Sequence, residues 1–386
     1  MKPARRRFLH LAASAAALPA LGSAARTEPM RPLAERLADY ADRLRFEDID
    51  QETVERVKAH VIDTIGCGIA AFNEGPVRIC RDIALAPADG KATVIGTTRR
   101  STPELASFAN GVAFRYYDLN DAYVGGLSGH PSDNIAPCLA VAEAEGASAT
   151  DLITAIVLVY EITCRLIDAC DVMSRGWDAP VFSLPAVALA AGKLMKLPPA
   201  KLAEAVNLAL NDHISMGQTR VQGLSDWKGL ADAEAGRNAI FATVLARAGI
   251  TGPTPVFEGR RGFFQLVSGP AEVDVTNFGG RGSRFRIHRC GLKSIRPSSI
   301  HKPLSWRASN SPKRLAISIA SPRSKSRPPA AASSRPGPTA RNGRRKTAPR
   351  PTTACPISPR ARCSTVTSPT TVMPTRSCAI RASSRS

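Results

Sequence analysis

Between Tyr116 and Pro137 the chain reads YYDLNDAYVGGLSGHPSDNIAP, placing Asp118, Asn120, Asp121, His130, Ser132, Asp133 and Asn134 in one glycine-broken stretch. Apolar helical patterns flank it, so these polar side chains belong to a loop, where they converge more easily than along one helix face. The chemistry such a set suggests is proton transfer. An imidazole is the side chain that exchanges a proton near neutral pH, and in the Gly129–Pro131 stretch the proline that follows fixes the backbone of His130. His130 is therefore the leading acid/base candidate.

The elements that must position this loop read as helices. Apolar residues recur at three- and four-residue spacing in LAERLADYADRL, ETVERVKAHVIDTIGCGIAAF, ASFANGVAFRYY, DLITAIVLVYEITCRLI, SLPAVALAAGKLM and AEAGRNAIFATVLARAG. Gly75-Pro76, Pro198-Pro199 and the stretch 249–255 punctuate them as stops, and Ala92 to Gly96 is one short β-like interruption. From Glu258 to Lys293 the composition shifts toward Gly, Phe and Val, and GRRGFFQLVSG and FRIHRCGLKS read as a loop followed by short strands. The expected fold is mainly α: a large all-helical domain over 27–257, then the start of a smaller, truncated or scrambled α/β domain over 258–294. A length of 386 residues is ample for two domains.

The net charge of +20 is very unevenly placed. All 32 Asp and Glu and 33 of the 52 Lys and Arg precede Ile295. The remaining 19 basic residues fill 295–386 without an acid, among Ser, Pro, Ala and Thr, a composition that cannot bury enough surface to offset chain entropy and is expected to be disordered. As a basic arm it would bind nucleic acid through phosphates, the non-enzymatic rival reading, but it lacks the interleaved aromatics of a single-strand binder.

At the other end, Arg5, Arg6 and Arg7 precede Phe8, Leu9 and an Ala/Leu stretch that closes in small residues at 23–25. That layout predicts a twin-arginine export signal over 1–26 and a periplasmic protein, or a cytoplasmic one if the signal is not used. The run is too short and alanine-rich to span a bilayer. The nine cysteines have no close C-x-x-C pair and no zinc or iron–sulfur spacing, so those in apolar runs, Cys67 among them, read as small hydrophobes.

The tail also reads as a shifted frame. Back-translation from the third base of each codon permits PAVIHTQTAVVAGFE over 295–310, DHSLPYI over 351–358 and ALLDGDVTNDSYADEELRDPRVLAL from Ala361 onward, all in one frame. These strings are acidic and periodic where the written tail is neither. A single-nucleotide deletion near the codons for Ser294 and Ile295 is the expected cause, and an intact frame found in several isolates would defeat it.

Taken together, HVIDTIGCGIAA at 60–71, ANGVAFRYYDLNDAY at 109–123, GHPSDNIAPCLAVAE at 129–143, RGWD at 175–178 and GLKS at 291–294 give a chain that resembles the MmgE/PrpD family. That family includes 2-methylcitrate dehydratase, cis-aconitate decarboxylase and iminodisuccinate epimerase. The resemblance runs from about Arg31 to Ser294, and PAVIHTQTAV and DHSLPYI are similar to the family's C-terminal motifs. It implies a helical domain and a smaller α/β domain with the site between them, a homodimer, no obligatory metal or organic cofactor, and a small di- or tricarboxylate as substrate. The implied reaction is dehydratase-type elimination, with epimerisation, isomerisation or decarboxylation as alternatives. With the second domain scrambled, the implied activity of this chain is low.

The resemblance also implies roles. Asp118 matches an active-site aspartate that would partner His130. Lys228 and Lys293 match lysines that hold substrate carboxylates, as movable ammonium charges can. Asn120, Asp121 and Gln218 complete the substrate-contact candidates, the first two also as shapers of the loop, and Arg220 lies beside them in the cleft. Two departures stand out: Ala122 replaces a hydroxyl residue common in the family, and Ala179 a histidine found in some members. Neither can move a proton through its side chain.

Overall fold

The computed structural model describes residues 31–87, 90–280 and 283–293. The expected export signal at 1–26, Ser294 and the basic tail at 295–386 lie outside the described residues. Helices dominate: α1 Leu33–Arg43, α2 Gln51–Ala71, α3 Gly75–Ala84, α4 Pro103–Arg115, α5 Ile135–Glu145, α6 Ala149–Ala169, α7 Ser183–Leu194, α8 Pro199–Asp212 and α9 Ala231–Ala248. The expected mainly-α class holds. Gly75-Pro76 and Pro198-Pro199, read above as stops, also begin α3 and α8, because a proline in the first turn gives up an N–H that has no helical partner there.

The centre of the molecule is α6 and α7. Both are apolar nearly all round: every residue of α7 except Lys193 is buried, as is most of α6 from Thr154 to Ile167. α6 starts sharply because Ser148 and Asp151 satisfy each other's backbone N–H groups at 3.1 Å in a capping box. Around this pair, α7 packs on α6, α8 and α9, while α4 packs on α2, α3, α5 and α9. Small residues let the helices that carry the site approach closely: a Cβ at Gly111 of α4 would stand 2.9 Å from the Ala233 Cβ of α9. Burying each Leu or Ile of this core contributes roughly 1.5–3 kcal/mol.

Two short antiparallel hairpins accompany the helices. β1 Ala92–Thr93 pairs with β2 Arg100–Ser101, where the β-like segment was expected. β3 Tyr123–Val124 pairs with β4 Ser128–Gly129 inside the polar loop.

Residues 258–293 depart from expectation. Instead of short strands they form a π-helical turn at Phe264–Ser268 and 3-10 turns at Val275–Asn277 and Arg286–Arg289. Alternating Phe285, Ile287 and their polar neighbours imitate a strand, but the 3-10 turn repeats every three residues and buries Ile287 and Cys290 together. The segment belongs to the helical core: Phe257, Phe263, Val267, Phe278 and Phe285 share one cluster with α1, α6 and α7. Glu258 accepts from the Leu33 N–H at 2.7 Å, and the Tyr40 hydroxyl donates to the Gly279 carbonyl at 2.9 Å.

Candidate functional site

The polar loop is built between the end of α4 and the start of α5. Leaving α4 at Arg115, the chain turns at once, with Asp118 N–H donating to the Arg115 carbonyl at 2.9 Å and Asp118 at φ +55°. A short polar side chain tolerates that left-handed conformation better than an apolar one. The β3–β4 hairpin then folds the loop back on itself, and His130 emerges just before the 3-10 turn Pro131–Asn134 that feeds α5. Ala122 and Gly291 exchange backbone hydrogen bonds at 2.9 and 2.8 Å, which lays the 290–293 segment across the loop and delivers Lys293. Lys228 arrives on the 3-10 turn Asp226–Gly229 that precedes α9.

These pieces meet at Asp118. Lys228 Nζ donates to Oδ2 at 3.0 Å and Lys293 Nζ to Oδ1 at 2.9 Å and to the Asp118 carbonyl at 2.8 Å. Arg115 also donates to Oδ1. Burial alone would raise the Asp118 pKa, but Arg115 and Lys293 outweigh it and hold the carboxyl well below the usual range. Three cations thus surround one carboxylate at a mouth where Asp118 is 34% exposed and Lys293 32%.

His130 stands at the same mouth, 16% exposed, with Nε2 3.7 Å from Asp118 Oδ1, beyond hydrogen-bond reach. Its Nδ1 lies 2.6 Å from the Asp121 carbonyl oxygen, which can only accept, so Nδ1 carries the proton and Nε2 presents a lone pair. Burial, with Arg115 and Lys293 nearby, lowers the His130 pKa to about 4 despite the Asp121 carbonyl and Asp118 pulling the other way. At neutral pH the ring is an uncharged base. The His130 ring is thus oriented by the Asp121 carbonyl, with Asp118 near but not hydrogen-bonded to it.

Beneath the mouth is a closed polar floor. Asp121 is fully buried, accepting from Ser132 N–H at 3.1 Å, Ser132 Oγ at 2.6 Å and Tyr160 Oη at 2.8 Å, with His60 Nδ1 3.1 Å away. Burial pushes its pKa up, but the neighbouring His60, Ser132 and Tyr160 bring it below the ordinary value. Asn120 donates to Ser132 Oγ at 2.9 Å and to Asp133 Oδ1 at 2.6 Å. Burial and the neighbouring Asp232 and Asp121 push the Asp133 pKa well above the usual range, against the pull of Arg115. Asn120 and Asp121 are therefore built into the floor, away from the opening.

The structure gathers Asp118, His130, Lys228 and Lys293, and does not bring Gln218 to them: that side chain is exposed and donates to Gln222 at 3.0 Å. Arg220 instead bonds Asp178 at 2.8 and 3.0 Å and reaches Asp232 at 3.4 Å. Ala122 acts through its backbone, and the Ala179 N–H donates to Asp178 Oδ1 at 2.8 Å. Arg115, His60 and Tyr160 escaped the sequence reading. Only Arg115 left a signal, three residues before Asp118 at a helix end; the other two reach the loop from remote helices.

Elsewhere, Asp50, Glu52 and His288 are close enough to hold a metal ion. Each is already engaged: Asp50 caps α2, Glu52 pairs with Arg284 at 2.6 Å, and His288 Nε2 is bonded to Thr53 Oγ1 at 2.7 Å. A cavity of about 320 Å³ between α2, α3 and α4 is lined mainly by apolar groups such as Ile69, Phe72 and Val94, away from Asp118 and His130. The chemistry-bearing groups Asp118, His130, Lys228 and Lys293 are part-exposed and do not line it.

Comparison with known proteins matches residues 35–276 to the MmgE/PrpD N-terminal domain. The chain is 30% identical over 244 residues to the cis-aconitate decarboxylase-like protein oryM of Aspergillus oryzae, covering 59% of this chain and 49% of that protein. It is 26% identical over 245 residues to human cis-aconitate decarboxylase, with 61% and 50% covered. Against 2-methylcitrate dehydratase of Cupriavidus necator it is 26% identical over 264 residues, with 64% and 53% covered. The chain spans about half the length of these curated relatives.

Proposed function

Because the chain belongs to the MmgE/PrpD family through its N-terminal domain, we propose that it is a dehydratase-type lyase acting on a small di- or tricarboxylate such as 2-methylcitrate. The observation that carries the reading is His130 with Nδ1 tied to the Asp121 carbonyl and Nε2 left 3.7 Å from Asp118 Oδ1, the carboxylate on which the ammonium groups of Lys228 and Lys293 also gather. Those ammonium groups, now gathered on Asp118, are placed to share their charge with a substrate carboxylate. Negative charge developing next to that carboxylate is then met by fixed cations, and His130 Nε2 takes the proton. An ammonium at the same mouth is the available donor for the departing hydroxyl.

A bound polyanion also tunes the base. It offsets the field of Arg115 and Lys293 that depresses His130, moving the imidazole back toward neutral pH, where a general base is most effective. Decarboxylation is the second reading, favoured by the names of the fungal and human relatives. Loss of carbon dioxide leaves a carbanion that must be given a proton, which asks for a charged imidazole.

The test uses both the chain as written and a frame-restored gene product, offered 2-methylcitrate and cis-aconitate in deuterated water. The expected results are salt-sensitive polycarboxylate binding weakened at least tenfold by Lys228→Ala, and alkene formation by the restored protein that His130→Ala abolishes. Carbon dioxide release without alkene-forming dehydration would transfer the assignment to the decarboxylase reading. Failure of both proteins to bind any small polycarboxylate would end the proposal.

A further inference from the structure

Two buried thiols meet behind the segment that delivers Lys293. Cys164 lies on α6 and Cys290 ends the 3-10 turn Arg286–Arg289; 126 residues apart in sequence, their Sγ atoms are 3.8 Å apart. Both are sealed, at 0% and 2% exposure. Cys290 directly precedes Gly291, which pairs with Ala122, and stands three residues before Lys293. The same stretch is otherwise held to α6 by polar links: Arg286 N–H to Glu161 at 2.7 Å, Arg286 Nε to Asp168 at 3.0 Å and Arg289 to Asp168 at 3.6 Å. All of these can break and reform. A bond between the two sulfurs would hold until reduced.

We propose that Cys164 and Cys290 are a disulfide-forming pair whose oxidation fastens the Lys293-bearing segment to α6. The step is thiol–disulfide exchange with a small disulfide such as oxidised glutathione. Cys290 thiolate attacks one sulfur of the reagent, forming a mixed disulfide and releasing one glutathione thiolate, which takes up a proton. Cys164 thiolate then attacks the Cys290 sulfur, forming the internal bond and releasing the second glutathione. The protein loses two protons and two electrons, and the reagent gains the two electrons. Burial hides both sulfurs from any reagent and pushes the Cys164 thiol up, so the pair is inert while the segment is seated. Exchange therefore begins when the segment lifts or before it first docks, and reseating brings the sulfurs together. Fixing them removes the open states in which Lys293 leaves Asp118, and closing so long a loop stabilises the fold.

The experiment takes the full chain through glutathione buffers of increasing oxidised fraction, blocks free thiols by alkylation, and maps the linked peptides by mass spectrometry. The expected product is a Cys164–Cys290 link that raises the unfolding midpoint by several degrees and slows amide exchange over 286–293 at least tenfold, both reversed by dithiothreitol. Cys290→Ser, and independently Cys164→Ser, should remove the link and the exchange protection together. Should either variant fail to fold, the wild-type map still decides. Dominant pairing of either cysteine with Cys67, Cys355, Cys363 or Cys378 would overturn the proposal. So would a Cys164–Cys290 link that leaves exchange over 286–293 unchanged, or free thiols at both positions after refolding in oxidised glutathione. None of these outcomes depends on the reaction assigned to the site.

Discussion

Asp118 and Asp121 are the same side chain three residues apart, yet they organise two unlike regions. The mouth around Asp118 is part-exposed and gathers Arg115, Lys228 and Lys293, charged groups on three different elements. The floor around Asp121 is buried and gathers Ser132, Tyr160 and His60, none of them a fixed cation. Both carboxyls are held below their ordinary pKa, one by cations and the other by its buried polar neighbours. Long cationic side chains at a wet mouth can be lent to an incoming anion. Short donors in a sealed floor cannot be withdrawn without leaving an unpaired charge. The difference teaches that the floor sets geometry and the mouth meets ligand.

The largest effect expected from this contrast is at the floor. Asp121→Ala strands the donors of Ser132 and Tyr160 and should cost roughly 3–5 kcal/mol of stability, read by chemical denaturation. An effect below about 1 kcal/mol would erase the distinction between the regions. Next is pH. His130 falls from an unfolded value of 6.5 to about 4, so the unfolded chain binds the extra proton between those values. Stability should be complete above pH 6.5 and decline by up to about 3 kcal/mol as pH drops toward 4. His130→Asn should flatten that part of the curve.

Smaller is the effect of Asp118→Asn on stability, roughly 1–2 kcal/mol, since Lys228 and Lys293 can turn to water while Arg115 keeps Asp133 and Asp232 close. A loss as large as that for Asp121→Ala would show that the mouth is scaffold as well. Smallest is Tyr160→Phe, about 1 kcal/mol from one hydrogen bond to Asp121. If the floor orients the base, the same variant should shift the His130 titration seen by NMR, and an unmoved titration would separate Asp121's side chain from its carbonyl's role.

Much of this was legible in the linear text. The three- and four-residue apolar spacing gave α1, α2, α4, α6, α7 and α9, because a helix that buries one face or all of them repeats that demand along its own length. Starts at Gly75-Pro76 and Pro198-Pro199 were read only as stops, since proline ends one helix and begins another with the same chemistry. The stretch from Phe285 to Cys290 was misread as a strand because its partners are not neighbours in sequence: Glu161 and Asp168 of α6 and the buried core decide its 3-10 turn. His130 and Asp118 were visible as polar types crowded into one glycine-broken loop.

What the sequence determined alone was the local inventory: helices where periodicity is long, and a loop rich in groups able to move protons. Tertiary structure decided which of those groups face one another and in which protonation state. Arg115 and the two lysines come from separate elements to hold Asp118 ionised, and a backbone carbonyl selects the His130 tautomer. The reason is physical: pKa and tautomer depend on burial and on charges a few ångströms away in space, and residues 118, 228 and 293 are neighbours only after the chain has folded.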